Sequence, residues 1–316
     1  MRLAMNGGRK QRISDAFGAA AAGYDDHAGP QRLAAALVAD LAQRQKPAGV
    51  ERILEIGCGT GFLTRDIQAR WPGAELMVTD LSPAMLVRAA TGGLVAGTFL
   101  TMDGESPAFE GPWFDLILSS LAFQWFDDLE SAIGRLVGLL RPGGSLIFST
   151  MGAGSFARWR SAHADCGQEA GIPAYPSLAA LRAMLGDYDD AFAFDEDCAL
   201  DCGGARGLIA HLKGIGAVVP VGGRQPLDAG ALRRVMRAFD AAGGADSYQL
   251  LFGRVTRRGV ISPGANAYSS ASISRGKKPS CAVRRSASDT AATPAPPTVP
   301  IRTAPSMTAS ACPVST

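Results

Sequence analysis

The sequence predicts an α/β protein: a doubly wound, mostly parallel sheet with a helical insertion on its substrate side and a disordered C-terminal tail. Three observations predict it. Short apolar runs alternate with helix-patterned stretches from Val50 to Thr150. A glycine-dense turn, Gly57-Cys-Gly-Thr-Gly61, follows the first of those runs. Composition changes abruptly near Val260: of the 56 residues from 261 to 316, 38 are Ser, Ala, Pro, Thr or Gly, and none is Leu, Phe or Trp. Such a stretch cannot bury enough apolar surface to offset its ordering entropy.

The elements follow in order. Ile13, Phe17 and Ala20-Ala21 recur at helical spacing, and a second helix is expected over Gln31 to Gln45 with Leu33, Leu37 and Leu41 on one face. Pro47 and Gly49 break that pattern. Arg52 to Ile56 reads as the first strand, Phe62 to Arg70 as a helix closed by Trp71-Pro-Gly73, and Glu75 to Thr79 as the second strand. Ser82-Pro83 reads as N-cap plus first helical residue of a helix reaching about Ala90. Leu94 to Leu100 and Phe114 to Ser120 are the third and fourth strands; Leu129 to Leu140 is a helix stopped by Arg141-Pro-Gly-Gly144; Ser145 to Thr150 is the fifth strand. Beyond it, helices are expected at 156–168, 177–186, 205–213 and 228–241, with strands near 191–199 and 248–255, the last closing the sheet antiparallel at its edge. The units are 1–48 (N-terminal helices forming part of a lid), 49–260 (the main domain) and 261–316 (the tail).

Charge excludes some functions. Lys and Arg number 31 against 29 Asp and Glu, a net +2, and the tail alone carries +5, so the first 260 residues carry −3. That balance does not suit a nucleic-acid binder, which needs excess positive charge to neutralise phosphates. No apolar run approaches the ~20 residues that span a bilayer, and the basic residues before Gln11 lack an apolar core behind them, so the expected compartment is the cytoplasm. Cys198 and Cys202 are four apart, but no second close ligand pair accompanies them, so no metal site is expected.

The glycine turn carries the chemistry. Glycines at 57, 59 and 61 let the backbone turn tightly and approach a ligand closely. Between a strand and a helix, the turn's N–H groups are expected to face a crevice at the C-terminal edge of the sheet. Its G-x-G-x-G spacing departs from the G-x-G-x-x-G of dinucleotide binders, which counts against a dehydrogenase. Asp80, 19 positions beyond Gly61, can accept hydrogen bonds from both ribose hydroxyls of an adenosine group.

Leu54-Glu-Ile-Gly-Cys-Gly-Thr-Gly61, Thr79-Asp-Leu-Ser-Pro83, Phe114-Asp-Leu-Ile-Leu118 and Leu139-Leu-Arg-Pro-Gly-Gly144 occur in that order. Together, over residues 50–150, they resemble the class I S-adenosylmethionine-dependent methyltransferases, a Rossmann-like fold. The resemblance implies S-adenosylmethionine as cofactor. Glu55, Gly57, Cys58, Gly59 and Gly61 would surround its methionine part, Asp80 with Leu81 its ribose, Asp103 and Gly104 its adenine, and Ser119 would complete the site.

Segments outside that core narrow the family. Ile13-Ser-Asp-Ala-Phe-Gly-Ala-Ala-Ala-Ala-Gly-Tyr-Asp25, Ser119-Ser-Leu-Ala-Phe-Gln-Trp125, His211-Leu-Lys-Gly-Ile-Gly-Ala217 and Tyr248-Gln-Leu-Leu-Phe-Gly253 resemble the malonyl-acyl-carrier-protein O-methyltransferases of biotin synthesis. The resemblance implies methylation of the free carboxyl of a malonyl thioester, with malonyl-acyl carrier protein as partner. Such a carboxylic acid is ionised at pH 7, so no general base is needed. Tyr24 is the expected catalytic lid residue, and Gln124 and Trp125, with Phe123, are expected to line the acceptor pocket. A cationic clamp for the carboxylate is sought among Arg158, Arg160, Arg182 and Lys213, because the His/Asn-Arg-Phe segment of that family is not recognisable in 163–178. Lys213, Arg224, Arg233, Arg234 and Arg237 are available as a landing site for an acidic carrier. Two other readings stay open at this level: a methyltransferase of a small carboxylic acid or other metabolite, and a non-catalytic assembly factor retaining the fold.

Overall fold

The computed structural model describes residues 2–46, 48–93, 97–219 and 227–258, so the expected tail lies outside the described residues. Two N-terminal helices, α1 (Arg2–Ala20) and the short α2 (Tyr24–His27), precede α3 (Gly29–Gln45). The alternating region follows as β1 (Arg52–Ile56), α4 (Phe62–Arg70), β2 (Glu75–Asp80), α5 (Pro83–Thr91), β3 (Thr98–Thr101), β4 (Phe114–Ser120), α6 (Leu129–Gly138) and β5 (Leu140–Met151). Then come α7 (Ala157–Asp165), α8 (Leu178–Leu185), β6 (Ala191–Leu200), α9 (Ala205–Gly214), α10 (Ala229–Ala241) and β7 (Asp246–Thr256).

The seven strands form one sheet in the order β3-β2-β1-β4-β5-β7-β6. The first five are mutually parallel, with Leu54 opposite Met77 on one side and Ile117 on the other. β7 runs antiparallel to both β5 and β6. It therefore lies inside the sheet and β6 forms the edge, which corrects the expectation that the last strand closes it.

Both faces of the sheet are covered, which is why its central strands carry apolar residues on both faces instead of alternating strictly with polar ones. The pleat divides them: Ile53, Val78, Leu116, Leu118 and Ile147 join the core on the α3 and α4 side. Leu54, Ile56, Ile117, Leu146 and Phe148 join the core on the α6 and α8 side.

Three local differences from expectation have physical causes. The buried face of α3 is Ala34, Ala35, Val38, Ala39 and Ala42, while Leu33, Leu37 and Leu41 are only partly buried beside it. Small side chains let α3 pack closely against α4 and the sheet. Arg141-Pro-Gly-Gly144 does not precede β5 but lies inside it, as an irregularity between the Phe114–Leu140 and Leu116–Ser145 pairs. Gly144 is required there, since a Cβ would sit 2.9 Å from the carbonyl oxygens of Arg141 and Phe114. Finally, Ser82 and Pro83 start α5 as expected, but the Ser82 side chain makes no capping bond; its N–H instead donates to Asp80 at 2.8 Å.

Candidate active site

The strand order reverses between β1 and β4, and a crevice opens at the C-terminal ends of the strands on both sides of that point. Ile56 to Thr60 at the end of β1, Asp80 and Leu81 at the end of β2, Met102 to Gly104 after β3, and Ser120 to Ala122 at the end of β4 line it. Lys10, Ile13, Phe17 and Tyr24 add a wall from α1 and α2.

The turn is held by its own groups. Gly57, Gly59 and Gly61 have φ of 69°, 54° and 90°, a region costly to any residue with a Cβ. A Cβ on Gly57 would sit 2.4 Å from that of Ala122, whereas one on Gly59 would meet nothing within 4 Å. Cys58 N–H donates to Thr79 O, Gly61 N–H to Cys58 O, and Gly59 N–H to the Asp80 carboxylate, each at 2.9 Å. One of these donors is spent within the turn and two on the end of β2, which corrects the expectation that they face a ligand.

Asp80 thereby ties the turn to the start of α5, through Gly59 and Ser82. Burial pushes its carboxyl up to about 6, against the opposing pull of those backbone donors. Glu55 lies fully buried, with neither carboxylate oxygen hydrogen-bonded, and burial raises it to about 8. Burial likewise raises the Cys58 thiol well above its ordinary value, so it is no thiolate nucleophile.

Asp103 and Gly104 line the crevice as expected, but the Asp103 carboxylate is taken up by Lys10 at 2.5 Å, and Lys10 also meets Glu105 at 2.6 Å. Arg9 reaches Trp125 O and Asp127, so α1 is fastened along one side of the crevice. On the other side Thr60 donates to Asp25 at 2.6 Å, joining α2 to the glycine turn. Ser119 does not reach the crevice. Its hydroxyl donates to Ile56 O at 2.9 Å within the sheet, and Ser120 lines the crevice instead.

A second cavity, of about 740 Å³, adjoins the first. Phe17, Tyr24, Gln31, Leu121 and Trp125 line both, so they mark the seam. Gln124 lines the second cavity, with its amide N–H₂ donating to Leu121 O at 2.6 Å. Leu121 and Phe156, the two described non-glycine residues with positive φ (50° and 59°), both line this cavity, and backbone strain of that kind concentrates at functional sites. Phe123 does not line it. The ring is buried and stacked between Phe126 and Phe148 in the core.

The four cationic clamp candidates lie elsewhere among the described residues. Arg158 and Lys213 are exposed and line neither cavity. Arg160 donates to Ser155 O and Pro173 O, each at 3.2 Å, and Arg182 to Ala193 O at 3.0 Å. Residues that sequence reasoning missed include Lys10, Gln31, Leu121, Tyr175 and Tyr248. Tyr248 shares a 2.6 Å hydrogen bond with His211, whose imidazole burial pushes down to about 4 and thus keeps neutral.

This sheet, with a glycine turn after β1 and an acid closing β2, defines a class I S-adenosylmethionine-dependent methyltransferase. A family model described as a methyltransferase domain matches residues 54–148. The fold is shared with the YcgJ protein of Bacillus subtilis (TM-score 0.50, 16% identity, 70% of this chain and 98% of that one). The chain is 36% identical over 256 residues to a malonyl-acyl-carrier-protein O-methyltransferase of Magnetococcus marinus, covering 79% of this chain and 94% of that protein. It is 32% identical over 259 residues to the protein of that name from Pseudescherichia vulneris, covering 78% of this chain and 98% of that one. It is also 41% identical over 261 residues to the biotin biosynthesis bifunctional protein BioCD of Bordetella avium, covering 80% of this chain but only 54% of that longer protein. The chain belongs to the malonyl-acyl-carrier-protein O-methyltransferase family. Among the described residues, no helix is long and apolar enough to cross a membrane.

Proposed function

We propose that this chain moves the methyl group of S-adenosylmethionine to the free carboxylate of malonyl-acyl carrier protein, as part of biotin synthesis in the cytoplasm. The observation that carries the reading is the seam itself: a crevice at the sheet's switch point opens into a second cavity of a size suited to a small acyl group and its arm. The donor set of the crevice fits the cofactor. Asp80 has lone pairs left after accepting from Gly59 and Ser82 and can take both ribose hydroxyls. The space above Gly59 is free for the methionine part. The half-buried Asp80 carboxyl, which ionises above about pH 6, suits a cationic ligand.

When bound, S-adenosylmethionine supplies a methyl group made electrophilic by its sulfonium. The chain's own work is alignment and exclusion of water. Tyr24, Phe17 and Trp125 stand at the seam where the two reactants would meet, and Phe17 packs edge-on against Trp125 with ring centroids 5.3 Å apart. No side chain needs to remove a proton from an acceptor that is already ionised.

The carrier's landing site is a groove between α9 and α10 lined by Arg206, Arg233 and Arg237. All three are exposed, and none has an ion-pair partner among the described residues. Helix α10 leaves the rim of the acceptor cavity two residues after Leu227, which places Arg233 and Arg237 one and two turns into that helix. Arg224 lies outside the described residues. Reversing all three charges (Arg206→Glu, Arg233→Glu, Arg237→Glu) is expected to raise KM for the carrier-bound substrate about tenfold or more at low salt. The effect should shrink with added salt, and kcat should stay unchanged. Steady-state kinetics across ionic strength checks it.

Comparing free malonate, malonyl-coenzyme A and malonyl-acyl carrier protein as acceptors tests the function. The reading requires the carrier-bound form to be methylated with the highest kcat/KM. Preference for free malonate, or for an unrelated metabolite, would overturn it.

A further inference from the structure

A carboxylate taken out of water needs a partner, yet no Lys or Arg is among the described residues lining the acceptor cavity. Apart from the exposed Glu169, the polar groups the cavity offers are neutral, and several of their donors are already committed. Tyr248 shares its hydroxyl with His211, His163 Nδ1 bonds Trp159 O, and the Gln124 amide N–H₂ bonds Leu121 O.

Tyr175 is different. It lines the cavity from the segment between α7 and α8, and its hydroxyl has no hydrogen-bond partner among the described residues. Its ring is held in place: the Arg160 guanidinium lies 5.9 Å from the ring centre, and Arg160 is itself anchored to Ser155 O and Pro173 O. Arg160 thus buttresses the wall rather than entering the cavity. Tyr24, at the seam, also has a hydroxyl without a partner among the described residues, and both phenols are near enough to Tyr248 to perturb it electrostatically. Burial lifts both above the ordinary phenol value, Tyr175 to about 12, so both remain donors throughout the physiological range.

We infer that Tyr175, together with Tyr24, receives the acceptor's carboxylate through phenolic hydrogen bonds in place of a cationic clamp, and so sets the preference for a free acid. The inference rests on the malonyl reading above. A phenol fixes the carboxylate while leaving its charge less neutralised than a guanidinium pair would. The nucleophile keeps the electron pair it needs: one carboxylate oxygen bonds the methyl carbon as the carbon–sulfur bond breaks, and no proton moves. Tyr175 acts by position and selection.

Tyr175→Phe keeps the ring and its contact with Arg160 and removes only the hydroxyl. The expected result is a rise of about tenfold in KM for malonyl-acyl carrier protein, kcat within about twofold, and unchanged melting temperature and S-adenosylmethionine affinity. Binding in the presence of S-adenosylhomocysteine gives a second readout. The unaltered chain should prefer malonyl-carrier over its methyl ester by about tenfold, and the variant should lose that preference. Methyl transfer by the unaltered chain with unchanged KM and preference in Tyr175→Phe would overturn this inference alone. No transfer to malonyl-carrier by the unaltered chain would overturn the acceptor reading, and this inference with it.

Discussion

A Gly59→Val chain will fold, yet bind no measurable S-adenosylmethionine. Gly59 sits at φ 54°, so a β-branched residue there is strained by about 1–3 kcal/mol. That is a fraction of the ~5–15 kcal/mol that typically holds a domain together. Nothing in the protein lies within 4 Å of the new Cβ, so strain is the main cost to the fold. The isopropyl group instead projects into the crevice, over the surface proposed to take the methionine part. Calorimetric titration should show affinity reduced by at least about a hundredfold, with a melting temperature a few degrees lower. Unchanged affinity would remove this turn from the site. Gly57→Ala is the contrasting case: its Cβ would strike Ala122 at 2.4 Å, so the fold itself should suffer.

Replacing Asp80 will cost nearly as much and will also change the pH dependence of binding. Two hydrogen bonds from ribose hydroxyls to a charged acceptor contribute about 1.5–3 kcal/mol each, so Asp80→Asn should weaken S-adenosylmethionine roughly a hundredfold. In the free protein, burial holds the carboxyl at about 6. A complex that uses the ionised form lowers that value, so binding releases a proton wherever Asp80 starts protonated. Affinity should therefore be level above pH 6 and fall by up to about tenfold per unit below it. The Asn variant should show no such fall. Titrations between pH 5 and 8 decide it, and an unaltered pH profile in the variant would place the linked group elsewhere.

Much of this was legible in the sequence because the parallel strands sit between strong punctuation. The run Arg52 to Ile56 ends at glycine, Glu75 to Thr79 begins after Trp71-Pro-Gly73, and each reads correctly without knowledge of its neighbours. The glycine turn and Asp80 were legible for the same reason: a tight turn and a strand-end acid are local facts. What failed was tertiary. The position of β7 between β5 and β6 depends on pairing partners far away in sequence. Ser119 and Ser120 differ only in which way the pleat turns them, and a strand apolar on both faces gives no alternation to show it. On α3, leucine spacing pointed to one face, whereas close packing selected the alanines beside it. On the substrate side, charge marked Arg158, Arg182 and Lys213 as clamp candidates, but charge does not say where a side chain goes. Tyr175, alone in the stretch Pro173-Ala-Tyr-Pro176, belongs to no periodic pattern, and only the folded chain brings it to the cavity wall.

The most direct measurement is the intact mass of malonyl-acyl carrier protein after incubation with this enzyme and S-adenosylmethionine. The account predicts a gain of one methyl group on the malonyl moiety, absent when Gly59→Val replaces the parent and absent when acetyl-carrier replaces malonyl-carrier. A malonyl-carrier of unchanged mass, while the same enzyme consumes S-adenosylmethionine with a small free acid, would contradict it.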